Sequence, residues 1–296
     1  MTATHKRFFT YLTTSEEEKK WGLYVTGAGH IEVLKHVVYP FITDPEHHYF
    51  HYAMGRRLTD YQILYITKGK GIFESEVSGV RKVKAGDVFV LFPNVWHRFK
   101  PDEHTGWDEY WVECNGDVIK KMQLNQYLQP ENPVLAIGID NAIVGSYLKI
   151  INLVKEEKPG FQYILSGVVL QLLGQLIATV KYQPFIGKAL EEKIQLAKLK
   201  MLESIGKPMS QEAIADAIGL GYSLYRKKFK EYTGISPDQY SIQLRIKEAK
   251  DLLITTDMSI KEIAYALSFN NVDYFFRLFK QKTGYTLSEY RKKNIR

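Results

Sequence analysis

A segment of about 50 residues occurs twice in the last third of the chain. Ser210, Ile214, Ala215, Ile218 and Gly219 return 49 positions later as Ser259, Ile263, Ala264, Leu267 and Ser268. Phe229, Lys230, Thr233, Gly234 and Tyr240 return 50 positions later as Phe279, Lys280, Thr283, Gly284 and Tyr290. The one-residue slip falls in a turn between Gly219 and Phe229, so both flanking helices keep their phase. Ser259 with Glu262 predicts a capping box opening a helix over Ile260–Leu267, and Ser210 opens its counterpart without the box. Gly221 and Asn271 are natural N-caps for second helices over Tyr222–Tyr232 and Val272–Lys282, which stop before Gly234 and Gly284. Ser236 and Thr286 begin further capping boxes, and a helix from Pro237 to about Ile254 is long enough to join the copies rigidly.

Helix, short turn, helix, given twice on one rigid connector, suits a DNA duplex. Only the major groove admits a helix and distinguishes every base pair. Two joined recognition helices can enter successive grooves about 34 Å apart. Tyr225, Phe229, Phe275 and Phe279 are spaced to bury. The opposite faces present Tyr222, Ser223, Arg226 and Lys227, and Val272, Asp273, Phe276 and Arg277. Arg226 and Arg277 are the base-reading candidates because a guanidinium can pair bidentately with guanine. Lys227, Lys230, Lys280 and Arg245 are assigned to phosphates. The charge agrees. Residues 186–296 carry 20 basic against 13 acidic side chains, while residues 1–185 balance 20 against 20, so the whole formal charge of +7 lies with the repeat.

The front of the chain reads differently. Residues 20–115 carry short β-branched and aromatic runs: Tyr61–Ile66 and Gly71–Val77 separated by a tight turn at Lys68–Gly71, then Val83–Phe92 and Trp107–Glu113. All four tryptophans, Trp21, Trp96, Trp107 and Trp111, lie in this part. Helical spacing follows over Asp117–Leu128, Asn141–Glu156 and Gly160–Val180. The last of these approaches membrane-spanning length, but Ser166, Gln171 and Gln175 give it a polar stripe, and no membrane partner is expected. The N-terminus has no secretory apolar core, and Cys114 is the only cysteine, which places the chain in a reducing cytoplasm and excludes a disulfide framework.

The stretch Ser259-Ile-Lys-Glu-Ile-Ala264, Ser268-Phe-Asn-Asn-Val-Asp-Tyr-Phe-Phe-Arg277-Leu-Phe-Lys280, Thr283-Gly284 and Tyr290-Arg291 resembles the signature of the AraC/XylS transcriptional regulators. That resemblance covers roughly Lys193–Arg291. Ser268 stands where the family usually has Gly, Leu287 where it often has Pro, and Phe276 replaces a usually small polar residue. Asp60-Tyr61, Leu64-Tyr65-Ile66, Gly69-Lys70-Gly71, Gly86-Asp87, Pro93-Asn94-Val95-Trp96-His97, Trp107 and Tyr110-Trp111 are similar, less specifically, to the family's cupin-like effector domain. The resemblance implies an α+β multidomain chain: an N-terminal cupin-like β-barrel with following helices, and a C-terminal all-α domain with two helix-turn-helix motifs. Residues 1–185 become the effector-binding and dimerisation domain, with a mobile arm over 1–20, the barrel over about 21–116 and helices over about 117–183. A linker at 186–192 leads to a DNA-binding domain over 193–296, with helix-turn-helix units at about 210–232 and 259–282. A small sugar-like effector is expected among Arg57, Tyr65, His97, Trp107, Glu109 and Trp111, and the expected partners are double-stranded DNA and a second copy of the chain.

The rival class is a metal-dependent cupin enzyme fused to a DNA-binding module. Such a site needs a His-x-His pair, a Glu and a later His. His97 could be the later ligand, but no such pair follows at strand spacing. Glu46-His47-His48 with His51 is the only histidine cluster, and it precedes the first clear strand. No metal, cofactor or catalytic residue is therefore expected, and Cys114 is assigned to packing.

Overall fold

In the computed structural model, residues 7–37, 39, 52–182 and 189–294 are described. The histidine cluster at 47–51 and residues 186–188 of the expected linker lie outside them, and the rest of that linker, 189–192, is already helical. Contacts divide the chain into two units, Met1–Gln183 and Pro184–Arg296.

The first unit runs β1 (Arg7–Tyr11), α1 (Glu16–Lys20), β2 (Tyr24–Val33), β3 (Tyr61–Ser75), β4 (Gly79–Lys84), β5 (Asp87–Leu91), β6 (His97–Pro101), β7 (Trp107–Asn115), α2 (Asp117–Leu124), β8 (Val134–Ala136), α3 (Asn141–Glu156) and α4 (Phe161–Tyr182). Every strand pair is antiparallel, in the order β1-β2-β7-β3-β5-β8, with β4 and β6 on either side of the far half of β3. The turn expected at Lys68–Gly71 is instead the bend of this one long strand. A bulge between Ile66 and Lys68 carries β3 from one half of the sheet to the other. Gly69 takes φ +76°, and a Cβ there would stand 2.1 Å from the Gly106 carbonyl oxygen, so only glycine fits the bend. Arg7–Tyr11, inside the expected arm, is hydrogen bonded along β2 as an edge strand. Its Phe8 packs with the core beneath the helices, which gives this segment a reason to stay in the sheet.

Strand alternation sorts side chains to two sides. One side holds Leu64, Ile66, Phe73, Phe89, Leu91, Phe99, Trp107 and Trp111, wrapped inside the sheet. The other holds Tyr61, Ile63, Tyr65, Val88, Val90, Val112 and Cys114, and α3 and α4 cover it. Helix α4 is apolar and long enough to cross a membrane by composition. Its Leu165, Val169, Leu172, Leu173 and Leu176 are buried in that core. The three polar residues read as a stripe do not share a face. Ser166 is buried and donates to the Leu23 carbonyl at 2.7 Å, Gln175 accepts from Ser146 at 3.0 Å, and Gln171 is exposed. Gln162 donates to the Val25 carbonyl at 2.9 Å and accepts from the Val25 amide at 3.3 Å. Ser166 and Gln162 thus satisfy the β2 backbone beyond the end of β1.

The second unit contains α5 (Ala189–Glu203), α6 (Gln211–Ala217), α7 (Tyr222–Thr233), α8 (Pro237–Thr255), α9 (Ile260–Ala266), α10 (Val272–Thr283) and α11 (Leu287–Asn294). The helix ends form as their cap residues dictate. Ser236 with Gln239 and Ser259 with Glu262 close full capping boxes, Thr286 and Glu289 exchange the same bonds, and Ser210 caps without the reciprocal partner. Two cores result. One gathers Ile194, Ala197, Ile214, Ala215, Tyr225 and Phe229, and the other Ile246, Ala249, Ile263, Ala264, Phe275 and Phe279. Helix α8 contributes Tyr240 and Leu244 to the first and Ile246, Ala249 and Leu253 to the second, so one continuous helix joins the two copies.

Candidate functional site

In each copy the second helix is held by its buried face and free on the other. Tyr225 donates to Gln211 Oε1 at 2.9 Å, and Gln211 Nε2 donates to Ser241 at 3.0 Å, which pins α7 to α6 and α8. The second copy replaces this network by rings: Phe275 stacks on Phe269 of the turn at 4.5 Å and meets Phe279 edge-on at 6.1 Å. Ser223, Arg226, Lys227 and Lys230 are exposed on α7, with Tyr222 half-buried beneath the Arg226 guanidinium at 5.6 Å. Asp273, Phe276, Arg277 and Lys280 are exposed on α10, with Val272 half-buried. Arg245 does not join either face. Its half-buried guanidinium stacks 4.6 Å over Phe269, burial lowers its pKa, and its Nε has no hydrogen-bond partner. It packs α8 against the second turn.

That turn carries Ser268 at φ +54°, where the first copy has Gly219 at φ +63°. The family's usual glycine is thus needed for its backbone, and Ser268 adopts the same left-handed conformation. Its hydroxyl is held by the Gly206 carbonyl at 2.5 Å.

The wrapped interior of the first unit is unusual for what it leaves unpaired. Trp107, Glu109 and Trp111 alternate along β7 into it, and His97 enters from β6. Room for the Trp111 ring comes from Gly29, where a Cβ would lie 2.6 Å from the indole. His97 Nδ1 donates to the Val95 carbonyl at 3.0 Å, which leaves Nε2 as a lone-pair acceptor; it is buried and has no partner. Burial first, then the Arg56 charge, lowers the His97 pKa to about 4, so the ring is neutral. Gln62 Oε1 and Glu109 Oε2 are likewise buried without a partner, and Trp107 Nε1–H points toward Glu109 without reaching hydrogen-bond geometry. Burial pushes Glu109 up to about 8 and Glu113 up to about 7, both opposed by Arg56. Orphaned polar atoms of this kind each cost about 1–3 kcal/mol unless a water or another molecule pairs them.

Two expected pocket residues are elsewhere. Tyr65 faces the helices: its hydroxyl donates to the Gly138 carbonyl at 2.8 Å, and its ring stacks on Tyr147 at 6.1 Å. Strand parity decides this, because Leu64 and Ile66 take the inner side. Arg57 is exposed, donating to both Glu76 oxygens and to the Asn94 carbonyl. Its neighbour Arg56 is backbone-bonded to His97 in both directions at 2.9 Å, and its charge acts on His97, more strongly than that of Arg57, and on Glu109 and Glu113.

A model described as an AraC-like ligand binding domain matches residues 38–182, and one described as a helix-turn-helix domain matches residues 214–293. Together they take in about three quarters of the chain. The chain belongs to the AraC family of transcriptional regulators. The MmsAB operon regulatory protein of Pseudomonas aeruginosa is 25% identical over 250 residues, covering 82% of this chain and 78% of that protein. The lactose operon transcription activator of Staphylococcus xylosus is 27% identical over 233 residues, covering 76% and 81%. A solved AraC-type regulator from Chromobacterium violaceum is 29% identical with a TM-score of 0.34, covering 35% of this chain and 93% of that one.

For an AraC-family sensor the interior has more polar members than the sequence reading named. Glu113 was accessible to it: 107, 109 and 111 point inward, so 113 must follow. Gln62 and Arg56 had no such signal, since the first precedes the apolar core of β3 and the second lies in a loop. Among the described residues no three His, Cys, Asp or Glu side chains gather to hold a metal.

Proposed function

We propose that this AraC-family regulator binds a small polar, sugar-like effector in the wrapped interior of residues 1–185 and DNA through residues 193–296. The observation that carries it is the pairing of two exposed basic helix faces, on α7 and α10, with one rigid connector, α8. Arg226 and Arg277 read bases, helped by Tyr222, Ser223, Val272, Asp273 and Phe276, while Lys227, Lys230 and Lys280 hold phosphates. His97, Glu109, Trp107 and Trp111 bind the effector, with Arg56, Gln62 and Glu113. Two orphaned acceptors, on His97 and Gln62, and the protonated Glu109 carboxyl, which can donate or accept, suit a hydroxyl-rich ligand. The Staphylococcus xylosus relative is named for a lactose operon, which supports a sugar.

The regulator acts in the cytoplasm as a homodimer, without catalysis. An exposed stripe of small and apolar residues on α4, at Ile164, Gly167, Gly174 and Ala178, supports helix-mediated pairing. Effector binding shifts the population of dimers able to span two half-sites. The test is Arg226→Ala with Arg277→Ala, measured by DNA binding at fixed salt and by thermal unfolding. Specific binding is lost, about 1–3 kcal/mol for each bidentate contact, while the unfolding midpoint stays near wild type. Unchanged specific affinity would remove both arginines from the interface.

A further inference from the structure

A basic cleft lies on the sheet face away from α3 and α4, and its four lysines are not among the residues of the effector site proposed above. Register sets its geometry. Lys70 stands directly opposite Lys84, and Ile72 stands between Lys82 on β4 and Lys100 on β6. Val83, Phe73 and Phe99 alternate with these residues and point inward, so the four lysines share the outer face. Two strand spacings separate Lys82 from Lys100, about 10 Å between backbones. The half-buried Ile72 is the apolar floor between them.

Around this face, Leu34, His36, Asp102, Glu103 and His104 help to line a cleft of about 1110 Å³, whose floor reaches Val37, Tyr39 and Val83 at the edge of the apolar interior. His36 and His104 meet edge-on at 5.7 Å, and the Glu103 carbonyl accepts from the His36 amide at 2.7 Å, which ties the two loops together. The acids present are largely spoken for. Asp102 lies 3.9 Å from Lys70, and Asp87 accepts from the Lys84 backbone amide at 2.9 Å. Lys82, Lys84 and Lys100 form no ion pair among the described residues. Lys100 instead sits 4.5 Å over the Tyr52 ring.

Lysines are common on edge strands, where they discourage pairing with other chains. That accounts for Lys82 and Lys84 on β4 and for Lys100 on β6, each paired with β3 alone. It does not account for Lys70 on β3, which is paired on both sides, or for setting Lys70 against Lys84, since like charges directly opposite are destabilising. We propose that this cleft binds a compact metabolite bearing two or more negative charges, a phosphate ester or a polycarboxylate, spanning Lys82 and Lys100 across Ile72. Lys84 and Lys70 lie one row further along and hold the second anionic group.

The experiment is calorimetric titration of the full-length protein in 0.1 M NaCl, roughly a 10 Å screening length, with inorganic pyrophosphate and, separately, citrate. Each is repeated on Lys82→Gln with Lys100→Gln, and on Lys121→Gln with Lys149→Gln, exposed lysines of α2 and α3 whose loss changes net charge equally. At least one anion binds one per chain, weakened about tenfold or more by the first pair and within about twofold of wild type in the second. Tighter pyrophosphate identifies a phosphate site and tighter citrate a carboxylate site. Binding by neither, binding untouched by the first pair, or equal weakening by both pairs would overturn the proposal.

Discussion

Replacing Glu109 by Gln should stabilise the sensor unit, and more so as pH rises. The carboxyl is 2% exposed and carries an orphaned oxygen, and burial holds its proton to about pH 8 against 4.5 for the free group. Between these values the folded unit binds one more proton than the unfolded chain, so stability falls as pH rises through that window. At ~1.4 kcal/mol per pH unit, Glu109 costs the fold ~1 kcal/mol at pH 5.5 and ~4 kcal/mol at pH 8. Gln keeps the shape and cannot ionise, so its advantage over wild type should grow by ~3 kcal/mol between those two pH values. Glu113, raised to about 7, acts in the same direction and is common to both proteins. His97 acts oppositely, since its lowered pKa of about 4 removes stability as pH falls below the ordinary imidazole value. Urea unfolding followed by tryptophan emission reports this unit alone, because all four tryptophans lie within residues 1–185. An advantage flat across pH would refute the reasoning. So would a Gln variant that loses ground toward pH 8, which would mean that Glu109 is ionised against Arg56 in the fold.

Two further outcomes follow from backbone groups. Gly219→Ala should cost the DNA-binding unit about 1–2 kcal/mol in urea unfolding, the penalty of a left-handed φ for any residue with a Cβ. Space is not the cause, since the nearest atom to that Cβ is the flexible end of Lys193 at 3.4 Å, and a loss below a few tenths of a kcal/mol would show that the turn relaxes. Gln162→Leu should cost the sensor unit about 2–4 kcal/mol by tryptophan-monitored unfolding, because it leaves both the amide and the carbonyl of Val25 buried without partners. A variant as stable as wild type would mean that water replaces the side chain there.

The helix-turn-helix unit was legible almost residue by residue, and the reason is local. Caps, turn residues and the four-residue spacing of buried rings are encoded within a few positions of where they act, and duplication repeats each signal. The sensor was legible only in outline because its determinants are not local. Lys68-Gly69-Lys70-Gly71 has the composition of a tight turn. Its meaning as a bend depends on Gly106, 37 positions away, pressing against Gly69. Strands β1, β2, β6 and β8 went unread: β2 breaks its apolar run with Gly27 and Gly29 to admit Trp111, and β8 is three residues long. Trp107, Glu109 and Trp111 share the inner side because they alternate on one strand. Tyr65 faces the helices because a single-residue change of parity exchanges the inner side for the outer, and Arg57 lies in a loop where no alternation says which way it points.

The two copies keep a shared geometry with different chemistry, and this bears on what each can recognise. The first turn uses Gly219 where the second forces Ser268 into the same left-handed conformation. A buried Tyr225–Gln211–Ser241 chain holds the first recognition helix, whereas the Phe269–Phe275–Phe279 rings hold the second. What repetition preserves is therefore the position of each helix on α8. The exposed faces have diverged further. Ser223, Arg226 and Lys227 offer hydroxyl and cationic donors, while Asp273, Phe276 and Arg277 offer an acceptor, an apolar ring and one guanidinium. An acidic side chain disfavours phosphate and accepts from cytosine, and an apolar ring suits a thymine methyl. On the proposed contacts, two helices with such unlike inventories should prefer different bases. If these faces read bases as proposed, the DNA segment met by one chain should be two unlike subsites at a spacing set by α8, and any symmetry in a longer site would have to come from a second copy of the chain.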